Sequence, residues 1–130
     1  MSWSSIDLKS INPSDLNLVA DGTYTFQLNP GSSYNERGGI NASAVIQSDG
    51  EFTGKKVLFS YPDPTEYAWS APALKRLALA TGNDVEEGED PVAFLNRIAG
   101  SHFTTKIVNK DDKTGVKRSN LQTMSVKPAA

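Results

Sequence analysis

Three runs of alternating polarity in the first half of the chain constrain its fold most. Tyr24, Phe26 and Leu28 alternate with Thr23, Thr25 and Gln27, which predicts a strand over 23–29 with one buried face. Pro30-Gly31-Ser32-Ser33 breaks it, and a polar loop runs on to Gly39. A second strand over 39–48 sets Ile40, Ala42, Ala44 and Ile46 on one face, and the small alanines suit the tapering wall of a curved barrel. Asp49-Gly50 offers a left-handed pair for a tight turn. A third strand over 55–61 carries Val57, Leu58 and Phe59 in succession, among the most apolar stretches of the chain. Strand, loop, strand, turn, strand is the opening meander expected of a small β-barrel.

Pro62 and Pro64 end that meander, because neither can donate to a ladder. A helix then fits Leu74, Leu77, Ala78 and Thr81, with Ser70 as its cap, Pro72 in the first turn and Gly82 as its stop. Asp90 and Pro91 sign the start of a second helix with Phe94, Leu95 and Ile98 on its stripe. Phe103, Thr105 and Ile107 restore the strand period, 111–115 is a hairpin turn, and a last strand is expected over 116–126. The fold class is therefore mainly β: a five-stranded OB-fold-like barrel with a two-helix insertion between strands three and four. An open α+β sheet with helices on one face gives much the same order. The domain spans 21–126. It follows a leader over 1–20, with Trp3 packed on the body and a helical turn at 13–18 after Asn12-Pro13, and it precedes a frayed end at 127–130.

The residue inventory is poor for catalysis. The chain has no Cys, and His102 is its only histidine, so neither a thiolate nucleophile nor an ordinary zinc site can be built. No phosphate-binding loop, dinucleotide glycine pattern or HExxH occurs. Asp63 and Glu66 read as loop solvation, and the acids between Asp84 and Asp90 lack EF-hand spacing. A non-enzymatic protein without metal or cofactor is expected. No stretch is long and apolar enough for a membrane span, and Met1 to Leu18 lacks the apolar core of a signal peptide. A cytoplasmic protein follows as the expectation.

Binding has more support. Residues 101–130 hold six cations against two acids, a net of +4, while the first 100 residues carry −6. A positive track with aromatic faces is what unspecific single-strand binding requires. Tyr34 and Arg37 fall in the first loop, Lys55 and Lys56 open the third strand and Tyr61 closes it. Tyr67 and Trp69 precede the helix, and Lys106, Lys117 and Arg118 lie on the last two strands. In barrels of this type the ligand crosses strands two and three, flanked by the first loop and the loop between strands four and five. The turn from Lys110 to Lys113 would be the second of those loops.

Several short segments also carry a family resemblance: Ala20-Asp21-Gly22-Thr23-Tyr24, then Gly50-Glu51-Phe52-Thr53-Gly54-Lys55-Lys56-Val57. Ala73-Leu74-Lys75-Arg76-Leu77, Ala80-Thr81-Gly82 and Lys117-Arg118-Ser119-Asn120-Leu121 complete it. In this order the chain resembles small phage-encoded proteins of a domain of unknown function, related to phage OB-fold single-stranded DNA-binding proteins. The resemblance covers about 20–126 and implies a phage protein of the host cytoplasm that supports DNA replication or recombination. Its expected partners are single-stranded DNA and phage replication or recombination proteins, and a homo-oligomer is compatible with it. The expected contacts are Arg37, Lys55, Lys56, Lys106, Lys117 and Arg118 on phosphates, with Tyr34, Tyr61 and Trp69 on bases. The alternative is an OB-like protein–protein interaction module that docks a phage or host protein.

Overall fold

The structure is a computed structural model that describes Ser4 and residues 18–111, 113–115 and 117–129, the side chain of Lys117 excepted. The expected leader, with Trp3 and the helical turn at 13–18, lies almost wholly outside these residues. Its last part belongs to the domain instead. Val19 is buried in the core, and its carbonyl accepts from Asn109 Nδ2 at 2.7 Å.

Seven strands form one antiparallel sheet among the described residues: β1 (Gly22–Leu28), β2 (Ser33–Tyr34), β3 (Ile40–Ile46), β4 (Lys56–Tyr61), β5 (His102–Asp111), β6 (Lys117–Leu121) and β7 (Lys127–Pro128). Two helices, α1 (Ser70–Thr81) and α2 (Pro91–Arg97), come between β4 and β5 in the chain. β3 lies between β4 and β1, and β5 between β1 and β6. The two-residue strands extend their neighbours: β2 pairs β3 on the β1 side, and β7 pairs β5 on the β6 side. The sheet curls until its edge strands β4 and β6 come into proximity without pairing. The result is a curled half-barrel with two helices.

Alternation decides what fills it. Phe26 and Leu28, the Ile40, Ala42, Ala44 and Ile46 face, and Val57, Phe59, Phe103 and Ile107 all point inward and are buried. Phe26 and Phe103, which are register partners, stack at 5.5 Å. Ala73, Leu77 and Ala78 of α1 and Phe94 and Leu95 of α2 complete the core. No helix among the described residues is long and apolar enough to cross a membrane.

Local chemistry departs from expectation at four places. Asp49 does not take a left-handed conformation. The β3–β4 connection is wider than a two-residue turn, and Gly54, at φ 84°, supplies the left-handed residue instead. Ser70 does not cap α1; it is buried inside the first turn, where its hydroxyl donates to the Pro62 carbonyl at 2.6 Å and ties the helix to the end of β4. The last strand stops at Leu121, because a 3-10 turn at Thr123–Ser125 redirects the chain. Lys127–Pro128, expected to fray, then pairs with Phe103–Thr104. Asp90 caps α2 as expected, accepting from the N–H groups of Val92 and Ala93 at 3.1 Å each.

Candidate nucleic-acid interface

The outer face of β3 and β4 is set by the same alternation that fills the core. With Val57, Phe59 and Tyr61 turned inward, Lys56, Leu58 and Ser60 turn outward, and Asn41 is the register partner of Ser60. Leu58 is 70% exposed, unusual for a leucine inside a sheet.

The loop between β1 and β3 rises at one end of this face. Asn35 folds it locally: its Oδ1 accepts from the N–H groups of Arg37 at 3.0 Å and Gly39 at 2.9 Å, and its Nδ2 donates to Asn41 Oδ1 at 3.1 Å. The turn leaves Arg37 exposed. Gly39 lies so close to β4 that a Cβ there would sit 2.7 Å from the Tyr61 carbonyl oxygen, so only glycine fits. Further back, α2 holds the same loop. Asn96 Oδ1 accepts from the N–H groups of Gly31 and Ser32 at 2.9 Å each, and Asn96 Nδ2 returns a bond to the Ser32 carbonyl.

The linker from β4 to α1 forms the flank. Asp63 Oδ1 accepts from the Thr65 N–H at 2.9 Å and hydroxyl at 2.8 Å, and these bonds hold its carboxyl below the usual carboxylate range. The turn projects Tyr67 and Trp69 outward, packed edge to face at 6.4 Å. Opposite them, Lys110 of β5 and Arg118 of β6 are exposed register partners.

Two adjoining grooves result, and they share Asn41 and Ser60. One, of about 960 Å³, lies between β4 and β6, with Leu58, Trp69, Lys110, Asn120 and Met124 among its walls. The other, of about 690 Å³, continues toward the first loop and is lined by Arg37, Tyr67 and three carboxylates, Glu36, Asp63 and Glu66.

The residues expected from sequence divide accordingly. Arg37 and Trp69 line the grooves, Lys56 shares the outer face with Leu58, and Arg118 sits beside Lys110. Tyr61 is corrected: it is 2% exposed and packs inside against Phe59, because its strand parity matches Val57 and Phe59. It cannot stack a base. Tyr34 is exposed but lines neither groove. Its hydroxyl donates to Asp90 Oδ1 at 2.5 Å, which raises the phenol's pKa and lowers that of the carboxyl. Lys55 is half-buried at the hairpin, and Lys106 is exposed on β5 opposite Thr23, outside the grooves. The side chain of Lys117 lies outside the described residues.

Leu58 and Met124 were not foreseen. Leu58 was hidden in an apolar run, although strict alternation from Val57 and Phe59 would have exposed it. Nothing in the sequence marks Met124, which the 3-10 turn brings to the groove. The acidic loop is partly spent on local structure. Arg97 clamps both carboxylate oxygens of Glu89, at 2.7 and 2.9 Å, and Asp90 is the helix cap.

No protein-family model matches this chain, and no curated protein matches it significantly.

Proposed function

We propose that this protein is a non-catalytic single-stranded DNA-binding protein built on an OB-fold, with the strand laid across the outer face of β3 and β4. The observation that carries the reading is the continuous groove over that face. It joins an apolar and aromatic surface, Leu58, Met124 and Trp69 with Tyr67 packed on it, to the cations of the β5–β6 edge, Lys110 and its register partner Arg118. Bases stack on the first and phosphates meet the second, the division of labour that sequence-tolerant binding uses.

The OB reading is supported by the strand order β4-β3-β1-β5-β6, by the approach of β4 to β6 and by helices between β4 and β5 in the chain. The flanking loops are then those between β1 and β3 and between β5 and β6, and the grooves run between them. Support of phage DNA replication or recombination in the host cytoplasm is the role that goes with such binding and with the family resemblance.

One observation favours protein docking instead: three carboxylates line the first-loop end of the groove, where phosphates would be repelled. Fluorescence anisotropy of a labelled oligo-dT at low salt separates the two. Binding that weakens log-linearly with salt is expected. No binding at about tens of micromolar protein, a weak limit even for non-specific association, overturns the DNA reading and leaves the docking one.

A further inference from the structure

The two halves of the groove differ in charge. The half between β4 and β6 has Lys110 in its wall, Arg118 beside Lys110, and Lys56 on the adjoining sheet face, and among the described residues Asp111 is the one acid lining it. The first-loop half has Arg37 against Glu36, Asp63 and Glu66. Asp63 is fixed in that role, since its bonds from Thr65 keep it ionised. Glu36 and Glu66 are exposed and line the groove. A sugar-phosphate backbone that leaves the Trp69–Leu58 platform toward the first loop therefore meets repulsion, and at low ionic strength this reaches across the whole half-groove.

Resting on the DNA-binding reading above, we infer that Glu36 and Glu66 limit the footprint: they exclude the backbone from the first-loop half and confine the strand to the β4–β6 half. The groove is long, but the part that accepts phosphate is short. A footprint of about 4 nucleotides results, the low end for a single OB barrel. Arg37 does not offset this, because it is the one cation beside three carboxylates among the described residues that line this half. The two glutamates are specificity-determining residues, and they line the first-loop half whereas the platform residues Leu58 and Trp69 line the other.

The test compares dT4 with dT16 on the wild-type protein, on Glu36→Gln/Glu66→Gln and on Glu86→Gln/Glu87→Gln. The last pair makes the same charge change on the exposed loop before α2. The ratio of variant to wild-type affinity at each length cancels the number of registers a longer strand offers. For the groove variant the ratio is expected to stay within about two-fold on dT4 and to reach about five-fold or more on dT16, from two surface charges removed. The salt slope on dT16 should steepen by about one as another phosphate is engaged. Equal ratios at both lengths, or the same dT16 gain in the loop variant, overturn the inference, since either marks a bulk charge effect. Wild-type protein that binds neither oligonucleotide overturns the DNA-binding reading itself, and this one with it.

Discussion

Replacing Tyr61 by Phe should make this protein more stable. Tyr61 is 2% exposed, and its hydroxyl has no hydrogen-bond partner among the described residues. Its ring packs edge to face on Phe59 at 5.8 Å, and phenylalanine keeps that contact. The substitution removes only an oxygen that folding strips of water without repayment from the described residues. An unpartnered buried polar group costs about 1–3 kcal/mol. Part of the gain is lost to the small void left behind, so a net stabilisation of about 1 kcal/mol is expected, or roughly 3–4 °C in Tm for a domain of this size. In urea the midpoint should rise with an unchanged m-value. The pH dependence gives an independent readout. Burial raises the phenol's pKa in the folded state, while in the unfolded chain it titrates near its ordinary value of about 10. Rising pH thus strips a proton from the unfolded state first and favours unfolding. The tyrosine's contribution is intact below pH about 10 and is lost above it, so the advantage of Tyr61→Phe should widen there. A loss of stability of about 1 kcal/mol or more would mean that the hydroxyl has a partner, and parallel alkaline limbs would mean that the phenol titrates alike folded and unfolded; either result refutes the reasoning.

Three further outcomes follow from the same geometry. Trp69→Ala should weaken oligo-dT binding by about 1–3 kcal/mol in an anisotropy titration, and an unchanged Kd would remove the stacking platform from the proposal. Leu58→Ser should change urea stability by less than about 0.5 kcal/mol, because the side chain is 70% exposed; a loss of several kcal/mol would place it in the core. Asp90→Ala should lower Tm at pH 7 by uncapping α2 and freeing Tyr34, yet flatten the acid limb of stability. Bonds from Tyr34 and then from the α2 N–H groups hold the Asp90 carboxyl below its usual range, so its contribution exists above the unfolded pKa and is lost as pH falls through the folded one. Identical acid limbs in the two proteins would contradict this.

Much of the barrel wall was legible because burial in a strand depends on parity. Once Phe26, Ala44 and Phe103 are read as inward, their neighbours on alternate positions follow. The α2 cap was legible because Asp90-Pro91 acts within one turn. The end of β6 was not. Nothing near Gln122 forbids an extended chain, and the 3-10 turn after it returns residues 127–128 to β5, a pairing about twenty-four residues distant in sequence. Tyr61 differs in its physical reason. Its place at a strand end suggests exposure, whereas its parity with Val57 and Phe59 puts it inside.

The candidate site was less legible than the wall. Sequence alone determined the residue types available: no thiolate, one histidine, and aromatics and cations near predicted loops. It did not single out Asn35, whose side chain folds the turn around Arg37. Only the tertiary structure decided which of these residues share a surface. The curl of the sheet brings β6 beside β4, sets Lys110 across from Leu58 and Trp69, and leaves Tyr34 bonded to α2. Such proximities arise from long-range closure of the sheet. The opening meander dictates that its apolar face be covered, but not which distant side chains the closing strands carry to its outer edge.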